Sequence, residues 1–237
     1  MRRRKCLTVL LAGLTLALLS GSPVLADSAI EAGRAAFARD GCDGCHGVTR
    51  STSPMTIAER AALKGPNLWY VGSKLKRDWL ETWLPAPTPI MGVRYDSLPP
   101  DTDITPHPAA PEADGVAIAA YLMSLTDSAM QTGVIDADTP PSHMERLQGR
   151  VLYGKEQQCF ACHLTRTRYG AEVGGVTAPT LTDAGRRLNP DWIYAFLMDQ
   201  TRYTPVTRMP IYAGDTYTEY TPERMRVLAG YIARMGR

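Results

Sequence analysis

The chain has 237 residues, more than one ordinary domain requires and enough for two small ones. Hydrophobic residues at 44% and charged residues at 21% lie near the averages for soluble globular chains, which argues against wholesale disorder. The formal net charge of +2 includes four cations at Arg2, Arg3, Arg4 and Lys5; the remaining 22 Lys and Arg face 24 Asp and Glu, so no basic excess is left for a nucleic-acid partner.

In chain order, residues 1–26 stand apart. A basic start is followed by the apolar stretch Leu7 to Leu19 and by Val24-Leu25-Ala26, small or short side chains of the kind a signal peptidase accepts. The stretch is shorter than the roughly 20 residues of a bilayer span, so the expectation is a cleaved signal peptide, with cleavage after Ala26 and export to a periplasmic location. No Cys stands at the cleavage point to carry a lipid, and Cys6 falls in the segment to be removed.

Next comes a short helix carrying Gly33 and Phe37, then Cys42-Asp43-Gly44-Cys45-His46, then Gly65-Pro66-Asn67-Leu68. Leu75, Trp79, Leu80, Trp83 and Leu84 recur at helical spacing, an apolar stripe that predicts a core-facing helix. A proline-rich, acidic insertion runs from Gly92 to Asp114, and a helix with Ala120-Tyr121-Leu122 closes this half. Residues 129–144, polar with Gly133, Pro140 and Pro141, read as a linker.

The order then repeats: Gly149 and Tyr153, Cys159-Phe160-Ala161-Cys162-His163, Ala178-Pro179-Thr180-Leu181, Asp191-Trp192-Ile193 and Gly230-Tyr231-Ile232. The two cysteine motifs are 117 residues apart and the Asp-Trp pairs 113 apart, so the second copy has a loop four residues shorter. A period of that length is a duplicated domain and not a solenoid. Asn189-Pro190 and Thr221-Pro222 are N-cap and first-turn pairs for helices. No run of alternating β-branched residues competes, and the expected fold is all-α, with domains at 27–128 and 145–237.

Four cysteines remain after cleavage, all of them in the two C-x-x-C-H motifs. That spacing is the haem c attachment signature, because two thiols must reach two vinyl groups on one porphyrin edge while the adjacent imidazole turns under the ring. A zinc site or a thioredoxin-like pair is the competing use of one such motif. Two copies behind an export signal, with no cysteine to spare, favour two covalently bound haem c groups.

These motifs, in this order, resemble class I cytochrome c present twice, with the likeness covering nearly all of the mature chain. The resemblance implies two tandem helical domains, each wrapped around one haem. It implies that Cys42, Cys45, Cys159 and Cys162 hold the porphyrins and that His46 and His163 are proximal iron ligands. It also implies that the Pro66 and Pro179 carbonyls accept the ring N–H of those histidines, and that Leu68, Trp79, Trp83, Leu181 and Trp192 line the pockets. For the sixth ligand it points to Met209, which Pro210 follows, and to Met91, at nearly the same distance from its histidine but followed by Gly92. His107, in the proline-rich loop, is the rival to Met91.

A His/Met pair leaves iron no open position and favours the ferrous state, so the expected activity is single-electron transfer and not catalysis. The expected partners are redox proteins: a membrane-bound respiratory complex or a periplasmic dehydrogenase, with a haem-bearing subunit of an oxidoreductase complex as the second reading and a dihaem enzyme as the third. Residues 27–128 carry a net charge of −4 and residues 145–237 a net +4. Such a dipole either orients the protein between partners or docks the halves on each other.

Overall fold

The structure, a computed structural model, describes residues 23–51, 53–92, 104–212 and 219–237. The expected leader lies outside the described residues up to position 22, as does 93–103 of the acidic insertion. Among the described residues, no helix is long and apolar enough to cross a membrane.

The chain is mostly helical. In order it forms α1 (Pro23–Arg39), α2 (Ile57–Ala61), α3 (Val71–Lys74), α4 (Arg77–Trp83), α5 (Glu112–Ser124), α6 (His143–Val151), α7 (Ala184–Arg187), α8 (Pro190–Met198), α9 (Gln200–Tyr203) and α10 (Pro222–Ile232). One small antiparallel ribbon, β1 (Thr165–Arg166) with β2 (Glu172–Val173), adds strand that the sequence pattern did not announce. Two residues per strand are too few for alternation to be legible.

Each half is built on a close crossing of its first and last long helices. A Cβ placed on Gly33 of α1 would lie 2.9 Å from the Tyr121 Cβ of α5, and one on Gly149 of α6 would lie 2.6 Å from the Tyr231 Cβ of α10. Only glycine lets these backbones approach so closely. Beside each glycine an aromatic pair fills the crossing, with Phe37 5.5 Å from Tyr121 and Tyr153 5.8 Å from Tyr231 between ring centroids.

The two crossings nucleate two apolar clusters. One holds Phe37, Val71, Leu80, Ile118 and Leu122; the other holds Leu152, Leu188, Trp192, Ile193, Met225 and Leu228. Tyr70, from the first half, is buried in the second cluster. The duplication also extends to the backbone: Gly72 N–H donates to Leu125 O and Gly185 N–H to Met235 O, both at 2.8 Å.

The apolar stripe from Leu75 to Leu84 is not one helix. Leu75 is extended (φ −99°, ψ 155°), and α4 begins only at Arg77. The break serves the contact between halves: Leu75 pairs with Leu188, its counterpart 113 residues on, in an antiparallel bridge. Lys76 N–H donates to Arg187 O at 2.9 Å and Asn189 N–H donates to Lys74 O at 2.8 Å. Side chains obey the same exchange, with Lys74 Nζ 4.9 Å over Trp192 and the Arg187 guanidinium 5.8 Å over Trp79. Equivalent residues meet each other across this seam, as in a two-fold homodimer, so the repeats associate as a pseudo-symmetric pair.

The expected linker is strapped to the second half. Asp191 accepts from Gly133, Val134 and Ile135 N–H at 2.7–2.9 Å, and Arg234 and Arg237 donate to the carbonyls of Asp136, Thr139 and Ala137. Its end also comes earlier than position 144: Ser142 and Glu145 form a capping box that starts α6 at His143.

Candidate functional site

Both cysteine motifs sit on the same local scaffold. Each opens on a residue with left-handed backbone, Gly41 (φ 73°) or Gln158 (φ 51°), and passes through one 3₁₀ turn, Cys42–Gly44 or Cys159–Ala161. His46 N–H donates to Cys42 O and His163 N–H to Cys159 O, both at 3.0 Å. The turn therefore brings two thiols and an imidazole into one short stretch. None of the four thiols is in a disulfide.

The loop after each histidine folds back under it. His46 Nδ1 is 2.8 Å from Pro66 O and His163 Nδ1 is 2.7 Å from Pro179 O. A carbonyl can only accept, so in both rings Nδ1 carries the hydrogen, and neither Nε2 is hydrogen-bonded among the described residues. Leu68 N–H donates to Gly47 O at 2.7 Å and Leu181 N–H donates to Leu164 O at 2.8 Å, which closes both loops. Leu68 is thereby set in the first cluster and Leu181 in the second.

Burial sets the electrostatics. It pushes both imidazoles below their usual range, against the opposing pull of the Pro66 and Pro179 carbonyls, which keeps the rings neutral and able to bind a metal. Burial raises the Cys42 thiol and pushes Cys159 up to about 12. Among the described residues no group of three His, Cys, Asp or Glu side chains converges on a metal position. A haem, whose porphyrin brings its own four nitrogens, does not require one.

A haem fits the remaining features. Its carboxylates need donors, and the Trp192 Nε1 hydrogen is buried with no partner. Arg166 and Arg187, near the second motif in sequence, are engaged by other groups: Arg166 pairs with Glu172 at 2.8 Å, and Arg187 with Asp183 and Thr180 O. The tryptophans divide their roles. Trp192 lies in the second cluster, stacked on Phe196; Trp79 stacks on Trp83 with centroids 5.5 Å apart and also faces Arg187 across the seam.

The methionines differ between halves. Met209 packs against the second cluster, on a loop held by Gln200 Nε2 donating to Pro210 O. Met91 is 37% exposed and lies in a cleft with Leu164, Val176 and Thr180 of the other half, held there by Thr180 N–H donating to Ile90 O at 2.7 Å. The group beside His46 is His107, with ring centroids 5.9 Å apart.

No family model matches the chain. Neither a curated protein nor a solved structure matches it.

Proposed function

We propose that this chain is an exported dihaem cytochrome c, each half a module of the class I type, that passes single electrons between periplasmic or membrane redox partners. The observation that carries this reading is the duplicated imidazole anchor. Twice, 117 residues apart, a C-x-x-C-H turn presents a histidine whose Nδ1 is tied to a proline carbonyl and whose Nε2 is left for iron.

Bound at these turns, a haem supplies an iron that gains and loses one electron without breaking bonds. The protein contributes attachment through Cys42 and Cys45 or Cys159 and Cys162, and orientation through the pinned rings of His46 and His163. Apolar walls, including Leu68 and Leu181, exclude water and so disfavour the extra charge of the oxidised state. Met209 is the thioether ligand proposed for the second site.

A second reading, a haem subunit held within an oxidoreductase complex, draws on the exposed apolar side chains Phe160, Val173 and Val176 around the second motif. Stable co-purification with a larger subunit would select it.

The deciding experiment is a pyridine haemochrome assay on protein exported from a host with haem c maturation. Two haems per chain are expected, and one in the C159A/C162A variant. A chain that carries zinc or no chromophore would sink the proposal.

A further inference from the structure

Resting on the two-haem reading, we infer that the sixth ligand of the first iron is His107 and not a methionine, so that the chain joins a bis-histidine site to a histidine–methionine site.

The geometry points there from three sides. First, with metal–nitrogen bonds of about 2 Å, two imidazoles on opposite faces of one iron hold their centroids on the order of 6 Å apart. His46 and His107 stand at 5.9 Å, with 31° between their planes. Second, the two rings carry the same tautomer. His107 Nδ1 is 2.7 Å from Pro108 O, as His46 Nδ1 is 2.8 Å from Pro66 O, so each ring keeps Nε2 for a metal.

Third, the segment bearing His107 is held in place. The residue lies between Pro106 and Pro108, which restrict its backbone. Ala110 N–H ties the loop to Leu84 O at 2.9 Å, at the end of α4. The imidazole rests 4.9 Å from the Trp83 ring, itself fixed by Nε1–H donating to Thr88 O at 3.0 Å. Met91 is meanwhile committed to the opposite half by the Ile90–Thr180 bond and by Gly92, where an added Cβ would lie 2.9 Å from Val176 Cβ.

The functional consequence is a gradient. A thioether ligand raises a haem's reduction potential and a second imidazole does not, so the first haem is the low-potential member and electrons run from the first half to the second.

The test compares the purified wild-type protein with H107A, H107M and M91L, each assayed for haem content, the far-red absorption band of methionine-ligated ferric haem, and carbon monoxide binding by the reduced form. Wild type is expected to show the far-red band at one haem's intensity and no carbon monoxide uptake. H107A should bind about one carbon monoxide per chain, H107M should double the far-red band, and M91L should match wild type. A wild-type band at two haems' intensity, or an M91L variant that binds carbon monoxide while H107A does not, overturns the assignment with the haem count still two. A haem count below two in wild type defeats the underlying two-haem reading instead. Because the wild-type band is itself decisive, a poorly folding variant leaves the inference open to refutation.

Discussion

Gly41 and Gln158 occupy the same place before the two cysteine motifs, both with positive φ. A side chain there costs about 1–2 kcal/mol in backbone strain, and glycine avoids it. G41Q is therefore expected to lose about 1 kcal/mol and Q158G to gain up to about 1 kcal/mol, less the added freedom of the unfolded chain, both readable from denaturation midpoints. At a second residue-scale point, Asp127 is almost wholly buried and accepts from Arg202 at 2.5 and 2.6 Å and from Tyr203 Oη at 3.1 Å. The Arg202 hydrogen bonds hold this carboxyl below its usual range. Its contribution to stability is thus fully present above the unfolded carboxylate range and is lost as pH falls from there through the lowered folded value. R202A strands a buried charge and is expected to cost about 3 kcal/mol at neutral pH, with D127N/R202A recovering part of that in a double-mutant cycle.

At the scale of elements, the helix crossings and the seam make separate predictions. Alanine at Gly149 forces Tyr231 and α10 away from α6, an overpacking cost of about 1–3 kcal/mol. Gly154, with nothing within 4 Å of an added Cβ, is the control, and G154A should be neutral or stabilising by about 0.5 kcal/mol. In the seam, burial, with Arg187 adding repulsion, pushes the Lys74 ammonium down to about 8. Below that pH it is charged folded and unfolded alike and the full burial cost is felt. As pH rises from about 8 toward the ordinary lysine value near 10.4, the unfolded chain binds the extra proton, and Lys74 makes stability rise. Denaturation midpoints at pH 7 and pH 9.5 should show this rise in wild type and a smaller one in K74M; equal slopes would contradict it.

For the whole molecule, the halves carry opposed net charges, −4 and +4. Among the described residues the salt bridge Arg202–Asp127 joins the halves, together with backbone pairing, Leu75 on Leu188, cations over aromatic rings and Tyr70 packed on Trp192 and Tyr203. On the electron-carrier proposal, this dipole would steer charged partners. Electron exchange with a basic small redox protein should slow several-fold as ionic strength rises from about 0.01 M to about 0.15 M, where the Debye length shrinks from about 30 Å to about 8 Å. An unchanged rate would mean that the charges face away from the docking site.

The features legible in the amino-acid sequence were those fixed by short-range chemistry. The C-x-x-C-H turns, the caps at Asn189 and Thr221, the glycine–aromatic pairs and the two-copy order each depend on a few neighbouring side chains, and the helical architecture follows from them. Tertiary structure decided the remainder. The apolar stripe breaks at Leu75 because that residue is needed by Leu188, and periodicity cannot distinguish a core position from a seam. Residues 129–144 read as a linker because their polar composition does not reveal that Asp191, Arg234 and Arg237 bind the backbone of 133–139. Distance along the chain from His46 favours Met91 over His107, yet proximity in space depends on where the intervening loop is anchored. Ala110 on Leu84 and Ile90 on Thr180 are long-range hydrogen bonds that carry no local signature, and they send the imidazole to His46 and the thioether to the other half.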